Sequence, residues 1–181
     1  MPVLAPYEDR LVKPILPLVE HPRTYVETSI PSFYFETRTE PEMVARRTWT
    51  RAWWDSVPGR YELVTSEAVL DELRRGAYEQ KAECLALLQH VPLVPTDPAI
   101  VEIVAAYVQH HLMPRDPVGD ALHLALASYH KCEFLVTWNS RHLANANKFG
   151  HIRRVNTLLG LYVPTLTTPL ELLGGDDNED V

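Results

Sequence analysis

Short apolar runs alternate along the chain with longer amphipathic segments, and this alternation predicts strands and helices in turn. The runs at residues 24–27, 61–65 and 133–137 are typical of strands. Between them, apolar side chains recur at helical spacing, which predicts helices at residues 40–56, 66–72, 77–89, 96 to about 111, and 120–131. Strands that alternate with helices predict a parallel sheet with helices on both faces, which is the α/β class.

Weaker signals complete the predicted order of elements. Residues 91–94 and 163–168 are typical of short strands, and Ser66 is expected to cap the helix that it begins. Because glycine often ends a helix, Gly150 and Gly160 predict two short helices, at residues 140–148 and 151–159.

The domain organisation follows from length and composition. A chain of 181 residues is long enough for one domain with a substantial core and too short for two ordinary ones. We expect a proline-rich N-terminal extension at 1–23, one domain at 24–173 and an acidic, disordered tail at 174–181. No apolar run approaches the roughly 20 residues of a membrane span. Two lone cysteines, Cys84 and Cys132, suggest reduced core thiols in a cytoplasmic protein.

Net charge narrows the possible partners. The chain carries −7, which argues against a general coat protein for nucleic acid. Basic residues nevertheless cluster locally, at 46–47, 74–75 and 153–154. Such pairs are more often part of a solvated helix face than a contact to phosphate.

Four apolar segments each carry or precede a side chain that can coordinate a metal. These side chains are Glu27, Glu72, Asp120 and Asn139. A carboxylate or amide beside a buried strand or within an apolar helix is costly unless something pairs with it. In parallel sheets, ligands bind outside the carboxyl ends of the strands, where all four could meet. A divalent cation held there would explain the whole set and points to a metal-dependent phosphodiesterase.

Two of these side chains also have a simpler interpretation, whereas Glu27 after a strand is harder to explain otherwise. Glu72 could lie on a helix surface and pair with Arg75, and Asp120 could cap its helix. Thr28 and Ser29 could orient Glu27 or cap the next helix.

The roles of three further features stay open at this point. His123 lies one helical turn after Asp120 and could bond a carboxylate or be a satisfied core histidine. Asp116, four residues before Asp120, is a reserve acid, meaning the next candidate for the site if one of the others fails. The tryptophans at helical spacing in residues 49–54 are expected in the core or an interface.

Taken together and in order, the four segments resemble the PIN-domain family, most closely its VapC-type branch of toxin ribonucleases. The segments that carry the resemblance are YVETSI (25–30), TSEAVLDEL (65–73), GDALHLA (119–125) and LVTWN (135–139). The resemblance implies a three-layer α/β/α sandwich with a central, mainly parallel sheet. It also implies hydrolysis of RNA with Mg²⁺ or Mn²⁺, with Glu27, Glu72 and Asp120 as metal ligands and Asn139 as a fourth catalytic position.

Two departures from the family pattern affect the expected activity. The first acid is usually Asp, and Glu27 is one methylene longer. The fourth position is the neutral amide of Asn139, so the carboxylates supply about −3, and a second ion should bind less well than the first.

The resemblance therefore implies an endoribonuclease, the toxin of a type II toxin–antitoxin pair, that forms a homodimer and binds an antitoxin. The alternatives are a catalytically weakened PIN module that works as a binding or scaffold protein, and a housekeeping nuclease that processes RNA or DNA.

Overall fold

The computed structural model describes residues 21–112 and 119–174. Most of the predicted N-terminal extension, the reserve acid Asp116 and nearly all of the predicted acidic tail lie outside these residues.

The described residues form one sheet of five parallel strands, in the order β3-β2-β1-β4-β5. The strands are β1 Arg23–Val26, β2 Glu62–Ser66, β3 Leu93–Val94, β4 Phe134–Val136 and β5 Thr165–Thr167. The central strand pairs Tyr25 with Val64 of β2 and with Leu135 of β4. The predicted parallel sheet is confirmed.

Helices connect and cover the strands. They are α1 Ser29–Tyr34, α2 Pro41–Ser56, α3 Glu67–Arg75, α4 Lys81–Leu87, α5 Pro98–Gln109, α6 Asp120–Tyr129, α7 Ala146–Leu158 and α8 Pro169–Leu173. Helix α5 packs on α6, while α2 packs on both α1 and α8. Consecutive residues of the central strand, Thr24, Tyr25 and Val26, are all fully buried, so both faces of the sheet are covered. This is the expected three-layer α/β/α arrangement.

One predicted pair of helices is wrong. A single helix, α7, runs from Ala146 through Gly150 to Leu158, and residues 140–144 are not helical. Asn145 caps the helix by accepting a hydrogen bond from the backbone N of Asn147 at 3.0 Å. A glycine inside a helix costs about 1 kcal/mol. Burial of Ile152 and Val155 on the inner face exceeds that cost, so the helix continues.

The aromatic residues of α2 belong largely to the core, as the sequence suggested. Trp53 is fully buried, and Trp49 stacks on Trp138, which follows β4. The indole nitrogen of Trp138 donates to the hydroxyl of Thr50 at 2.8 Å, so α2 fixes the segment that leaves β4. No helix in residues 21–112 and 119–174 is long and apolar enough to cross a membrane.

Candidate active site

The candidate residues gather at the carboxyl edge of the sheet. Glu27 directly follows β1, and Asn139 lies three residues after the adjacent parallel strand β4. Asp120 is the first residue of α6 and is hydrogen-bonded to Asn139. Glu72 lies on α3 and is hydrogen-bonded to Thr28, the neighbour of Glu27. Four segments far apart in sequence are therefore joined at one edge of the fold.

Glu27 is held by the residue two positions further along the chain. The backbone N of Ser29 donates to its Oε2 at 3.0 Å, and the Ser29 hydroxyl donates to its Oε1. The same hydroxyl accepts a bond from the backbone N of Trp138 at 2.8 Å, which ties β1 to the β4 exit. Only 5% of Glu27 is exposed, and burial raises the pKa of its carboxyl despite the bonds from Ser29 and the nearby His123.

Glu72 has a different environment. Nε2 of His123 lies 3.2 Å from each of its carboxylate oxygens, and the Thr28 hydroxyl donates to its Oε2. Partial burial opposes ionisation, but the His123 bond and charge and the Thr28 bond outweigh it, so the pKa of Glu72 is lowered. Thr28 and Ser29 thus use their hydroxyls on carboxylates, and neither caps α1 by its side chain.

The surface ion pair considered for Glu72 is absent from the described residues. Arg75 donates to the backbone oxygen of Asp71 at 3.1 Å, and Arg74 forms the ion pair with Asp71 at 2.9 Å. Asp71 is therefore the outward neighbour and Glu72 the inward one on the same helix.

Asp120 is half-buried at the start of α6, where Gly119 is the capping residue. Its Oδ1 accepts a bond from Nδ2 of Asn139 at 2.7 Å. Burial raises the pKa of Asp120, and the charge of Glu72 adds to the rise, whereas His142, His123 and the Asn139 bond oppose it.

The amide of Asn139 faces Asp120 with its nitrogen rather than its oxygen. Its Oδ1 accepts bonds from the backbone N of Arg141 and of His142, both at 3.2 Å. Because carboxylates and backbone N–H groups have opposite hydrogen-bonding roles, these contacts fix the orientation of the amide. The neutral oxygen that the sequence suggested for a cation therefore caps a turn instead.

His123 connects the carboxylates to the core. It is 2% exposed, and its Nδ1 lies 3.0 Å from the hydroxyl of Tyr25, which lies 2.7 Å from Oγ of Ser66. Burial disfavours protonation of His123, but Glu72, Glu27 and Asp120 outweigh it and raise its pKa. The expected side-chain cap by Ser66 is wrong, because its hydroxyl bonds Tyr25 and makes no cap bond.

Sequence reasoning missed Tyr25 and Ser66 as partners of the site. The available signal was the tyrosine in a buried strand two residues before Glu27, because a buried phenol needs a hydrogen-bond partner. Which residue would meet it depends on tertiary distances, since Ser66 and His123 are far from Tyr25 in sequence.

The donor chemistry of this edge fits a hard divalent cation. Three carboxylates supply the oxygen ligands that Mg²⁺ and Mn²⁺ prefer. Burial makes ionisation of Glu27 and Asp120 costly, and a cation would offset that cost. Within residues 21–112 and 119–174, however, no three His, Cys, Asp or Glu side chains form a ready metal-binding group. Each carboxylate is hydrogen-bonded to a partner of its own, and Asn139 engages only Oδ1 of Asp120.

Comparison with known families agrees with this geometry. The family model described as PIN domain matches residues 24–148, which is more than half of the chain and includes all four candidate positions. No curated protein matches the sequence. PIN domains are generally nucleases that act on nucleic acids and use divalent metal ions. The chain belongs to the PIN domain family.

Proposed function

We propose that the protein is a Mg²⁺- or Mn²⁺-dependent endoribonuclease of the VapC type, with Glu27, Glu72 and Asp120 as the metal ligands. The observation that carries this proposal is the common edge at which the three carboxylates lie. All three raise the pKa of a single histidine, His123, so their negative charge is concentrated around one point. A cation near that point would lower the cost of ionising Glu27 and Asp120 in a buried place.

The bound ion supplies Lewis-acid chemistry: it lowers the pKa of a water ligand and neutralises charge on the phosphoryl oxygens. The chain's own residues prepare for this by holding the ligands. Ser29 fixes the two oxygens of Glu27, and Thr28 and His123 fix those of Glu72. Asn139 holds Oδ1 of Asp120 and leaves its other oxygen free of any hydrogen bond within the described residues. Such supporting contacts normally orient metal ligands.

The departures at Glu27 and Asn139 favour one well-held ion over two. The amide nitrogen of Asn139 repels a cation, and its oxygen is occupied by the backbone N–H groups of Arg141 and His142. The neutral side chain also adds no charge. Asn139 is thus a positioning residue for Asp120 in this proposal.

The biological role belongs to the same proposal. The resemblance to the VapC-type branch supports a cytoplasmic toxin that acts as a homodimer and is held by an antitoxin protein. Expression of the chain alone should then arrest growth, and co-expression of an antitoxin should restore it. Unimpaired growth with abundant, folded protein would favour the housekeeping nuclease instead.

A second candidate is a PIN module that binds nucleic acid or protein without cleaving. Two observations favour it. Each candidate carboxylate already accepts a hydrogen bond from a neighbouring side chain, and the described residues contain no ready metal-binding group. The two candidates differ in one measurable property, since only the nuclease produces metal-dependent cleavage.

The decisive experiment compares two carboxylates of similar chemistry. Purified wild type, Asp120→Asn and Asp71→Asn are incubated with a panel of RNAs and Mg²⁺ or Mn²⁺. Asp71 is the control, because it is exposed and paired with Arg74. Removal of a metal ligand should reduce cleavage at least about 100-fold, roughly 3 kcal/mol of barrier, while Asp71→Asn should cleave like wild type. If Asp120→Asn cleaved as fast as wild type, the assignment of this site would be wrong. If wild type cleaved no RNA with either ion, the binding module would be favoured.

A further inference from the structure

The residue before Asn139 is connected to both sides of the candidate site. The backbone N of Trp138 donates to Oγ of Ser29 at 2.8 Å, and that hydroxyl donates to Oε1 of Glu27. The next residue along the chain, Asn139, donates to Oδ1 of Asp120 at 2.7 Å. The position of Trp138 therefore sets the supports of two candidate ligands, one through Ser29 and one through Asn139.

Helix α2 holds the indole of Trp138 by its polar atom. Nε1 of the ring donates to Oγ1 of Thr50 at 2.8 Å, and both side chains are buried. The Thr50 hydroxyl donates its own proton to the backbone O of Arg46 at 2.7 Å, so a lone pair is left to accept from the indole. Because a buried indole N–H needs an acceptor, this bond fixes the position of the ring.

Aromatic and cationic contacts surround the same ring. Trp49 of α2 stacks on Trp138 with the ring centroids 6.2 Å apart, and the ring of Phe33 in α1 lies at 6.0 Å. The guanidinium of Arg46 lies 5.3 Å from the centroids of both Phe33 and Trp138, and its Nη1 donates to the backbone O of Trp138 at 3.4 Å. Its Nη2 forms an ion pair with Glu42 at 2.5 Å. Helix α2 thus holds both the ring and the peptide group of Trp138.

The third candidate ligand is supported separately. Glu72 is hydrogen-bonded to Thr28 and His123. Within the described residues, the hydrogen bonds of Trp138 lead to neither of these two partners. A displaced Trp138 would therefore move two candidate ligands and leave Glu72 in place, which changes the separation of the three carboxylates.

We propose that Trp138 is a positioning residue, which presents Glu27 and Asp120 together to one divalent cation. Helix α2 holds Trp138 in place for this role through Thr50 and Arg46. The inference rests on the proposed function, because it takes the three carboxylates to be metal ligands. Mg²⁺ demands near-ideal octahedral geometry, so ligands from separate segments of the chain need a common support. Contacts that support metal ligands normally change metal affinity when they are removed.

The test measures Mn²⁺ affinity by calorimetry, apart from cleavage. The anchor variant Arg46→Lys/Thr50→Val removes the planar guanidinium and the acceptor of the indole. The control variant Arg47→Lys/Thr48→Val makes the same changes on the same helix, at side chains that bond backbone oxygens away from Trp138. The anchor variant should bind Mn²⁺ at least about tenfold more weakly than wild type, and the control variant should stay within about twofold.

A second readout follows Trp138 itself. In ¹⁵N-tryptophan-labelled protein the four tryptophans give four indole N–H signals by NMR, and Trp138→Phe identifies the signal of Trp138. Titration of wild type with Mg²⁺ should shift this signal with the same midpoint as calorimetric binding of Mg²⁺. A residue that only stabilises the fold would show no such shift. Because the titration uses wild type, it decides the question even if the anchor variant does not fold.

Four results would overturn the inference. One is equal Mn²⁺ affinity in the anchor and control variants, whether both are unchanged or both are weakened. Thr50→Ser keeps the hydroxyl and should bind Mn²⁺ like wild type, so a loss as large as that of the anchor variant would indicate a structural role only. An indole signal that does not move while calorimetry detects Mg²⁺ binding would defeat this inference alone. No binding of Mn²⁺ or Mg²⁺ by wild type would overturn the proposed function as well.

Discussion

The two sides of the candidate site are built in different ways. On the first side, Glu27 and Glu72 are held by hydroxyls and by His123, in a network that continues to the core through Tyr25. On the second side, the Asp120 carboxylate accepts one hydrogen bond among the described residues, from Asn139, and the segment beyond it is basic. The comparison suggests that the first side fixes geometry, while the second side admits the substrate and adjusts to the ion.

The neutral residue on the second side gives the largest expected effect. At present Nδ2 of Asn139 donates a hydrogen bond to Oδ1 of Asp120 at 2.7 Å. Asn139→Asp would replace that donor with a second carboxylate at the same place. Two carboxylates at such a distance repel each other, and one would hold a proton. Without divalent ions the free energy of unfolding should fall by about 2–3 kcal/mol, and Mn²⁺ should stabilise this variant more than wild type. Urea unfolding with and without Mn²⁺ measures both quantities.

The control for this variant is Asn147→Asp, which changes an exposed amide on α7 that has no contact to Asp120. If Asn139→Asp were as stable as that control without metal, the close contact between the two sides of the site would be wrong.

A smaller effect is expected on the first side, where the network reaches the core. Tyr25→Phe removes a buried hydroxyl that lies 2.7 Å from Ser66 and 3.0 Å from His123. Both buried partners would lose a hydrogen bond, which should cost about 1–2 kcal/mol of unfolding free energy. Tyr129→Phe, which changes a more exposed phenol, should cost much less. Equal unfolding free energies for these two variants would contradict the role of the network.

The weakest expected effect is a pH dependence of stability. The carboxyls of Glu27 and Asp120 have raised pKa values, so the folded state binds more protons than the unfolded state. Their contribution to stability therefore falls as pH rises above 4.5 for Glu27 and above 3.8 for Asp120. His123 also has a raised pKa, so its contribution is full below 6.5 and is lost as pH rises through its folded value. Glu72 acts oppositely, because its lowered pKa gives stability above 4.5 that is lost in acid.

As pH rises above 6.5, the His123 effect should dominate, because the lowered pKa of Glu72 leaves that group ionised there. The Tm in EDTA should therefore fall over this range, and saturating Mg²⁺ or Mn²⁺ should reduce the fall. The slope should also decrease in Glu27→Gln. A Tm that rises with pH in EDTA would show that the charge balance described for the first side is wrong.

Sequence patterns predicted the location of this site better than its internal contacts. The alternation of strands and helices predicted the parallel sheet, and apolar runs that end in polar groups indicated its carboxyl edge. The orientation of Asn139 could not be predicted, because it depends on which atoms meet across α6 and β4. The continuity of α7 through Gly150 was missed for a related reason: local glycine propensity opposes the helix, whereas burial of Ile152 supports it.

Two adjacent residues of α3, Glu72 and Asp71, allow a direct test of whether the inward-facing carboxylates bind a divalent cation. Mn²⁺ binding is measured by calorimetry on wild type, Glu72→Gln and Asp71→Asn. These two variants each remove one charge, but Glu72 faces Thr28 and His123, whereas Asp71 faces Arg74. We expect Glu72→Gln to weaken Mn²⁺ binding at least about tenfold, roughly 1.4 kcal/mol, and Asp71→Asn to leave it unchanged. Equal affinities in all three proteins would contradict the claim.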